Sequence, residues 1–253
     1  MYIVAIIQAR MGSSRLPGKS LINILGKPML CYLINRLQYS RLLDKIVIAT
    51  TDKASDKKIL ELAKESSIDS YAGSEDDVLD RYYKAAKKYD AEVVVRITAD
   101  CPLIDPYIVD KVIQRFLMGD CDYATNALIR TYPDGLDVEV FSFNSLEKVW
   151  KEARWASERE HVTSYICKNP DEFILANVQN DSDLSRLRWT VDEDRDLEFV
   201  RQVCKHLYQD GHIFHMEDIL ELLKKYPHLE KINQEIVTNE GYAKSLKEDK
   251  LVK

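Results

Sequence analysis

The chain lacks the usual marks of metal centres and covalent nucleophiles. Its five cysteines, Cys31, Cys101, Cys121, Cys167 and Cys204, are odd in number and form no C-x-x-C pair. That argues against a zinc site and a disulfide frame, and fits a reducing cytoplasm. The five histidines show no H-E-x-x-H spacing, and no G-x-S-x-G elbow is present. No apolar run is long enough for a membrane span, and no charged leader precedes the first one, so neither a membrane protein nor a signal peptide is expected. Positive charge is not in excess either. A formal net charge of −6 carries no basic footprint, so no nucleic-acid partner is expected. No repeat, low-complexity tract or glycine–serine linker interrupts the 253 residues, a length that buries a proper core.

What is present is an alternation of apolar runs and amphipathic stretches. "YIVAII" (2–7), "KIVIATT" (45–51) and "AEVVVRITAD" (91–100) read as strands. "PMLCYLINRLQ" sets Leu30, Leu33, Ile34 and Leu37 at helical spacing. "SDKKILELAKES" offers Ser55 as an N-cap, and "SEDDVLDRYYKAAKKY" opens with Ser74 and Asp77 in a near capping box. This alternation predicts an α/β protein with a mostly parallel sheet. The second half reads as "CDYATN", "LDVEVFSF", "ILANVQN" and "LRWTVD" strands, with a helix carrying Leu197, Val200, Val203 and Leu207 after "TVDEDRD". We divide the chain into one domain over 1–225 and a polar extension over 226–253, which contains Pro227.

Ligands of open α/β sheets bind beyond the carboxyl ends of the strands. The loop after the first strand, Thr50 to Asp52 and Asp100 all fall there. That loop, "QARMGSSRLPGKS" (8–20), gathers Arg10, Arg15 and Lys19 with Gly12 and Gly18, and adds the hydroxyls of Ser13 and Ser14. It is not a Walker loop: five residues separate Gly12 from Gly18-Lys19-Ser20, where the Walker spacing allows four. Several donors on a close-approaching backbone nonetheless suit a triphosphate, and Pro17 stiffens the turn. The plain alternative is a solvated basic turn.

Two carboxylates are candidates for nucleotide-bound Mg²⁺, which takes one or two protein carboxylates plus phosphate oxygens. Asp100 ends its strand in "RITADCPLID", and Asp192 ends "LRWTVD". Capping accounts for Asp194 and Asp196, and less well for Asp192. A third group, Asp137 and Glu139 with Glu158, Arg159, Glu160 and His161, reads equally as a solvated face or as a hydrogen-bonding site for a polyhydroxy substrate.

Taken in order, "IIQARMGSSRLPGKSL", "GKPML", "IVIATT", "RITADCPLID", "GLDVEVFS", "SEREHVTSYI", "LRWTVDEDRDLE" and "INQEIVTNEGYAKSLKED" resemble the cytidylyltransferases that make CMP-activated acidic sugars. The nearest branch is the SpsF-like proteins of spore coat polysaccharide biosynthesis. The resemblance spans nearly the whole chain. It implies a Rossmann-like nucleotide-diphospho-sugar transferase fold with a mixed sheet, a Mg²⁺ cofactor, CTP and a sugar acid as substrates, and a homodimer. By the same resemblance Gln8, Ala9, Arg10, Gly12, Ser13, Ser14, Arg15 and Lys19 surround the nucleotide, with Arg81 and Thr98 beside it. Asp100 and Asp192 hold the metal, and Arg15 and Lys19 act in catalysis with them. The sugar falls to Asp137, Glu139, Arg159 and His161. An acidic sugar needs cations there, which Arg130, Arg154 or Arg159 would supply. Two other functions use the same loop: nucleotidyl transfer to a phosphorylated acceptor, and non-catalytic nucleotide binding in a glycan pathway.

Overall fold

The computed structural model describes residues 1–13, 15–236 and 240–252, the side chains of residues 240, 241 and 244 excepted. The chain runs β1 (Ile3–Gln8), β2 (Asn23–Ile24), β3 (Lys27–Pro28), α1 (Met29–Leu37), β4 (Lys45–Thr51), α2 (Lys57–Glu65), β5 (Asp69–Gly73), α3 (Val78–Lys88), β6 (Val93–Thr98) and α4 (Pro106–Leu117). The second half adds β7 (Tyr123–Thr125), β8 (Glu139–Ser142), α5 (Phe143–Glu152), α6 (Ala156–Glu160), α7 (Ser164–Lys168), β9 (Leu175–Asn177), α8 (Asp194–Leu207), α9 (Met216–Lys225) and α10 (Glu240–Lys247).

Seven strands form one sheet in the order β5-β4-β1-β6-β8-β7-β9. The β5-β4-β1-β6 half is parallel, whereas β8 pairs antiparallel with both β6 and β7. Strands covered by helices on both faces need apolar residues at every position, which is why β1 reads as an unbroken run. Ile3, Ala5 and Ile7 pack on the side of α1, α4, α8 and α9. Val4 and Ile6 point to the other side, onto α3 and α5. The register then levels the strand ends: Gln8 lies opposite Ala49 on one side and Thr98 on the other.

Several local readings are corrected. Ser55 does not cap α2; its hydroxyl donates to Asp56, which fills the N-cap position without a capping bond. The near capping box slips by three residues: Asp77 caps α3 by accepting from Asp80 N at 2.9 Å, while Ser74 Oγ accepts from Asp77 N. "LRWTVD" is not a strand. Its backbone bonds loops instead, with Trp189 N and Thr190 N donating to Asp134 O and Val191 N to Asp100 O at 2.8 Å. Gly135 makes this approach possible, because its φ is +106° and an added Cβ would fall on the Thr190 backbone nitrogen.

The segment read as a polar extension packs back onto the rest. Leu229 and Ile236 are buried, and so is Asn233. Among the described residues no helix is long and apolar enough to cross a membrane.

Candidate active site

The loop after β1 is held from behind by a carboxylate. Asp56 accepts from Met11 N at 3.0 Å and from Thr51 Oγ1 at 2.6 Å. Burial opposes its charge, but these bonds and one from Ser55 hold its carboxyl below the usual range. Met11 O in turn accepts from Ser13 N and Gly18 N, so the loop curls back on itself. Gly18 takes φ +73°, a left-handed conformation that glycine adopts freely. Lys19 then begins a short 3₁₀ turn over Lys19–Leu21.

That turn aims Lys19 into the sheet's open end. Its ammonium donates to Asp100 at 2.9 Å, to Asp192 at 2.8 Å and to Val191 O at 2.9 Å. Asp192 also receives Arg15 at 3.0 Å and Arg188 at 3.1 Å. Burial penalises the charge on Asp100. Lys19 and a bond from Thr98 outweigh it, and the carboxyl falls to about 2. Lys19 is raised in turn: burial works against it, and the two carboxylates overcome that.

Arg15, Lys19, Asp100 and Asp192 line a cavity of about 560 Å³ together with Gln8, Arg10, Ser13 and Thr98. Its far wall is α6, through Ala156, Ser157 and Glu160. Gln8 Oε1 is buried without a hydrogen-bond partner, an acceptor left for an amino group. Among the described residues no cluster of three metal-ligating side chains occurs. Asp100 and Asp192 nonetheless converge on one cation, the Lys19 ammonium. A pair of carboxylates completed by phosphate oxygens is the usual donor set for nucleotide-bound Mg²⁺, and these two residues fit it.

Other expected nucleotide contacts lie outside the cavity lining. Ala9 and Arg81 are buried, and Gly12 faces Glu75. Arg81 donates to Ser74 O at 3.1 Å, while its Nε and Nη2 find no partner. Burial, with Arg10 nearby, pulls it below the usual guanidinium range. Ser14 lies outside the described residues.

A second cavity, of about 350 Å³, shares Thr98 with the first and contains Asp137, Glu139 and His161. Cross-strand register sets Arg96 against Glu139, and the two form an ion pair. Tyr123 and Thr163 also donate to Glu139. Arg130 clasps Asp137 with two bonds, at 2.5 and 2.7 Å. Burial lowers the affinity of His161 for a proton, and its Nε2 is buried without a hydrogen-bond partner, 3.8 Å from Glu160. Arg159 is not in this cavity. It pairs with Asp77 at 2.7 Å and caps the carbonyls of Trp150 and Ala153, and Glu158 accepts from Arg154 N and Trp155 N. Arg159 thus closes the C-terminal end of α5, and Glu158 the start of α6.

The sequence reading missed Asp56, Arg96 and Arg188. Arg188 is bound in two places by Asp196, at 2.9 Å each, which fixes its reach to Asp192. Asp56 and Arg96 meet Met11 and Glu139 from distant segments, and Arg188, itself outside any regular element, meets Asp192 and Asp196 nearby, so no spacing rule marks them.

A mixed seven-stranded sheet that carries a basic loop and two convergent carboxylates at its carboxyl edge defines a Rossmann-like nucleotidyltransferase. Residues 4–245 match the cytidylyltransferase family, and the chain belongs to it. A cytidylyltransferase of Leptospira borgpetersenii is 34% identical, with TM-score 0.87 over 94% of this chain and 98% of that one. The spore coat polysaccharide biosynthesis protein SpsF of Bacillus subtilis is 33% identical over 82% of this chain and 86% of its own. A CMP:2-keto-3-deoxy-manno-octonic acid synthetase complexed with CTP shares the fold, with TM-score 0.63 and 18% identity over 82% of this chain and all of that one.

Proposed function

We propose that this cytidylyltransferase moves CMP from CTP to a sugar hydroxyl, releasing pyrophosphate, in the assembly of a surface polysaccharide or another glycan. The observation that carries this reading is the convergence of Asp100 and Asp192 on Lys19 beside the Arg10–Lys19 loop. The acceptor oxygen bonds to the α-phosphorus, the bond from that phosphorus to the bridging oxygen breaks, and the hydroxyl proton leaves to solvent. The demands on the protein are position and charge neutralisation.

Asp100 and Asp192 would hold Mg²⁺, which supplies Lewis-acid polarisation of the phosphates when bound. The chain's own part is separate. Arg15 and Lys19 neutralise the charge that builds on the departing pyrophosphate. Gln8 Oε1 accepts from the exocyclic amine of the base, and Arg10 and Ser13 bind phosphate oxygens. The acceptor occupies the adjoining cavity, where Thr98 joins it to the nucleotide crevice.

Within that cavity Arg130, paired with Asp137, and His161 face a sugar carrying several hydroxyls. A sugar acid as the acceptor is supported by the related 3-deoxy-manno-octulosonate cytidylyltransferase of Trichlorobacter lovleyi, 36% identical over 46% of this chain. We place the enzyme in the cytoplasm, which suits its five free thiols, and as a homodimer. Exposed Leu128, Ile129 and Ile174 near the free edge of β9 give the apolar surface that such a contact covers.

The test is pyrophosphate release with Mg²⁺, each nucleoside triphosphate being offered with sugar acids, neutral sugars and sugar phosphates. A signal with CTP and sugar acids alone is expected. A response confined to sugar phosphates would replace the acceptor class, and CTP binding without release across the panel would favour a binding role.

A further inference from the structure

The end of the chain takes no part in that mechanism, yet it borders the crevice. Its backbone pairs with the entry to α6: Ala156 N donates to Lys250 O and Val252 N to Arg154 O, both at 2.9 Å. Asp249 accepts from the backbone nitrogen and the hydroxyl of Ser157, at 2.9 and 2.6 Å. Ser245 Oγ donates to Glu160 at 2.9 Å, and Tyr242 meets the His161 ring edge-on with centroids 4.9 Å apart. A solvated polar tail does not make so many directed attachments, since each costs the ordering of backbone and side chain.

The place of attachment gives it a role. Ala156, Ser157 and Glu160 are the far wall of the nucleotide crevice, and Lys250 lines the same cavity as Arg10, Arg15 and Lys19. Asp100 and Asp192 are already engaged by Lys19, Arg15 and Arg188. Glu160 and Glu248 share the wall with Lys250, so the lining sets four carboxylates against four cations. Four basic side chains on one small cavity suit a ligand with several anionic oxygens, which needs several donors at once. A triphosphate is such a ligand.

We propose that residues 242–252 form a strap that builds one wall of the active site, and that Lys250, carried on it, is a further phosphate-binding residue for the nucleoside triphosphate. Asp249 is the positioning residue that fastens the strap to α6. This rests on the reading of the crevice as the CTP site.

Calorimetric titration of CTP and of CMP, without acceptor, tests it on the full chain. Lys250→Met should weaken CTP about tenfold, the usual worth of one charge-assisted contact, and leave CMP within about threefold. Lys250→Arg should recover most of the loss. Asp249→Ala should reproduce it, with a thermal midpoint near that of the wild type to show that the fold is kept. Wild-type affinity for CTP in both Lys250→Met and Asp249→Ala would overturn the strap while leaving the CTP site standing. Equal losses for CMP and CTP would overturn the assignment to the triphosphate. A wild-type protein that binds no CTP would overturn the underlying reading instead.

Discussion

The Lys19 ammonium stands 2.8 Å from the carboxylate of Asp192. It occupies the point at which Asp192 and Asp100 converge, so a divalent cation held by these carboxylates would compete with Lys19 for the same oxygens. A bound polyphosphate would relieve that competition by drawing the ammonium towards itself. Metal affinity should therefore be low without nucleotide. Replacing Lys19 by Met should tighten Mn²⁺ binding to the nucleotide-free protein about tenfold by calorimetry. The same variant should lose turnover about 100-fold, as removal of a group that stabilises transition-state charge does. Unchanged metal affinity would show that the two cations do not compete.

Asp100→Asn and Asp192→Asn should each lower turnover by about 100-fold or more, with CTP affinity changed far less. Turnover within severalfold of wild type in both variants would remove these carboxylates from the mechanism.

Asp100 also makes a pH-dependent contribution to stability. Its folded-state value of about 2 lies below the ordinary 3.8. A depressed acid stabilises the fold fully above its ordinary value, and that stability is lost as the pH falls towards the folded value. The gap corresponds to about 2 kcal/mol. Urea denaturation between pH 5 and pH 2.5 should show a steeper acid loss in the wild type than in Asp100→Asn. Parallel curves would mean that the acid loss originates in other carboxylates.

Asp56 does not line the crevice, and it holds the loop through Met11 N. Asp56→Ala should raise the KM for CTP about tenfold while kcat falls less. Asp56→Asn keeps an oxygen acceptor for Met11 N and should recover part of the loss. Equal kinetics in all three proteins would mean that the loop holds its shape unaided.

Two glycines at positive φ separate strain from crowding. Gly211 has φ +79° with open space around it, whereas Gly135 presses on the backbone of Trp189 and Thr190. Alanine at 211 should cost about 1 kcal/mol. Alanine at 135 should cost about 3 kcal/mol or more, with Asp192 displaced along with its loop. Thermal denaturation of both variants decides the point.

The parallel half of the sheet was legible because buried strands announce themselves. β1, β4 and β6 each carry an apolar run, Ile3–Ile7, Ile46–Ala49 and Val93–Val95, and the charged loop that follows β1 is the one that reaches the crevice. β5 escaped because "DSYAG" is a short, half-exposed edge strand with no apolar run. "LRWTVD" misled for the opposite reason: it alternates apolar and polar residues as a strand does, yet residues 187–191 are all buried and its hydrogen bonds go to loops. Arg159 sits beside residues that resemble a sugar site, and its partner, Asp77, lies far away in sequence. Contacts of that kind depend on the completed fold and leave no local pattern.

Asn233 does not line the crevice and lies 37 residues beyond Asp196. Its buried amide donates to Arg188 O and to Asp196 Oδ1, both at 2.9 Å, and Asp196 in turn accepts from Asp192 N. Asp192 is thus tied to a residue outside the crevice lining. A search for inactivating substitutions confined to the crevice walls would pass over Asn233, although a change there alters the footing of Asp192. Inheritance of function in this protein is therefore spread more widely than its reaction surface.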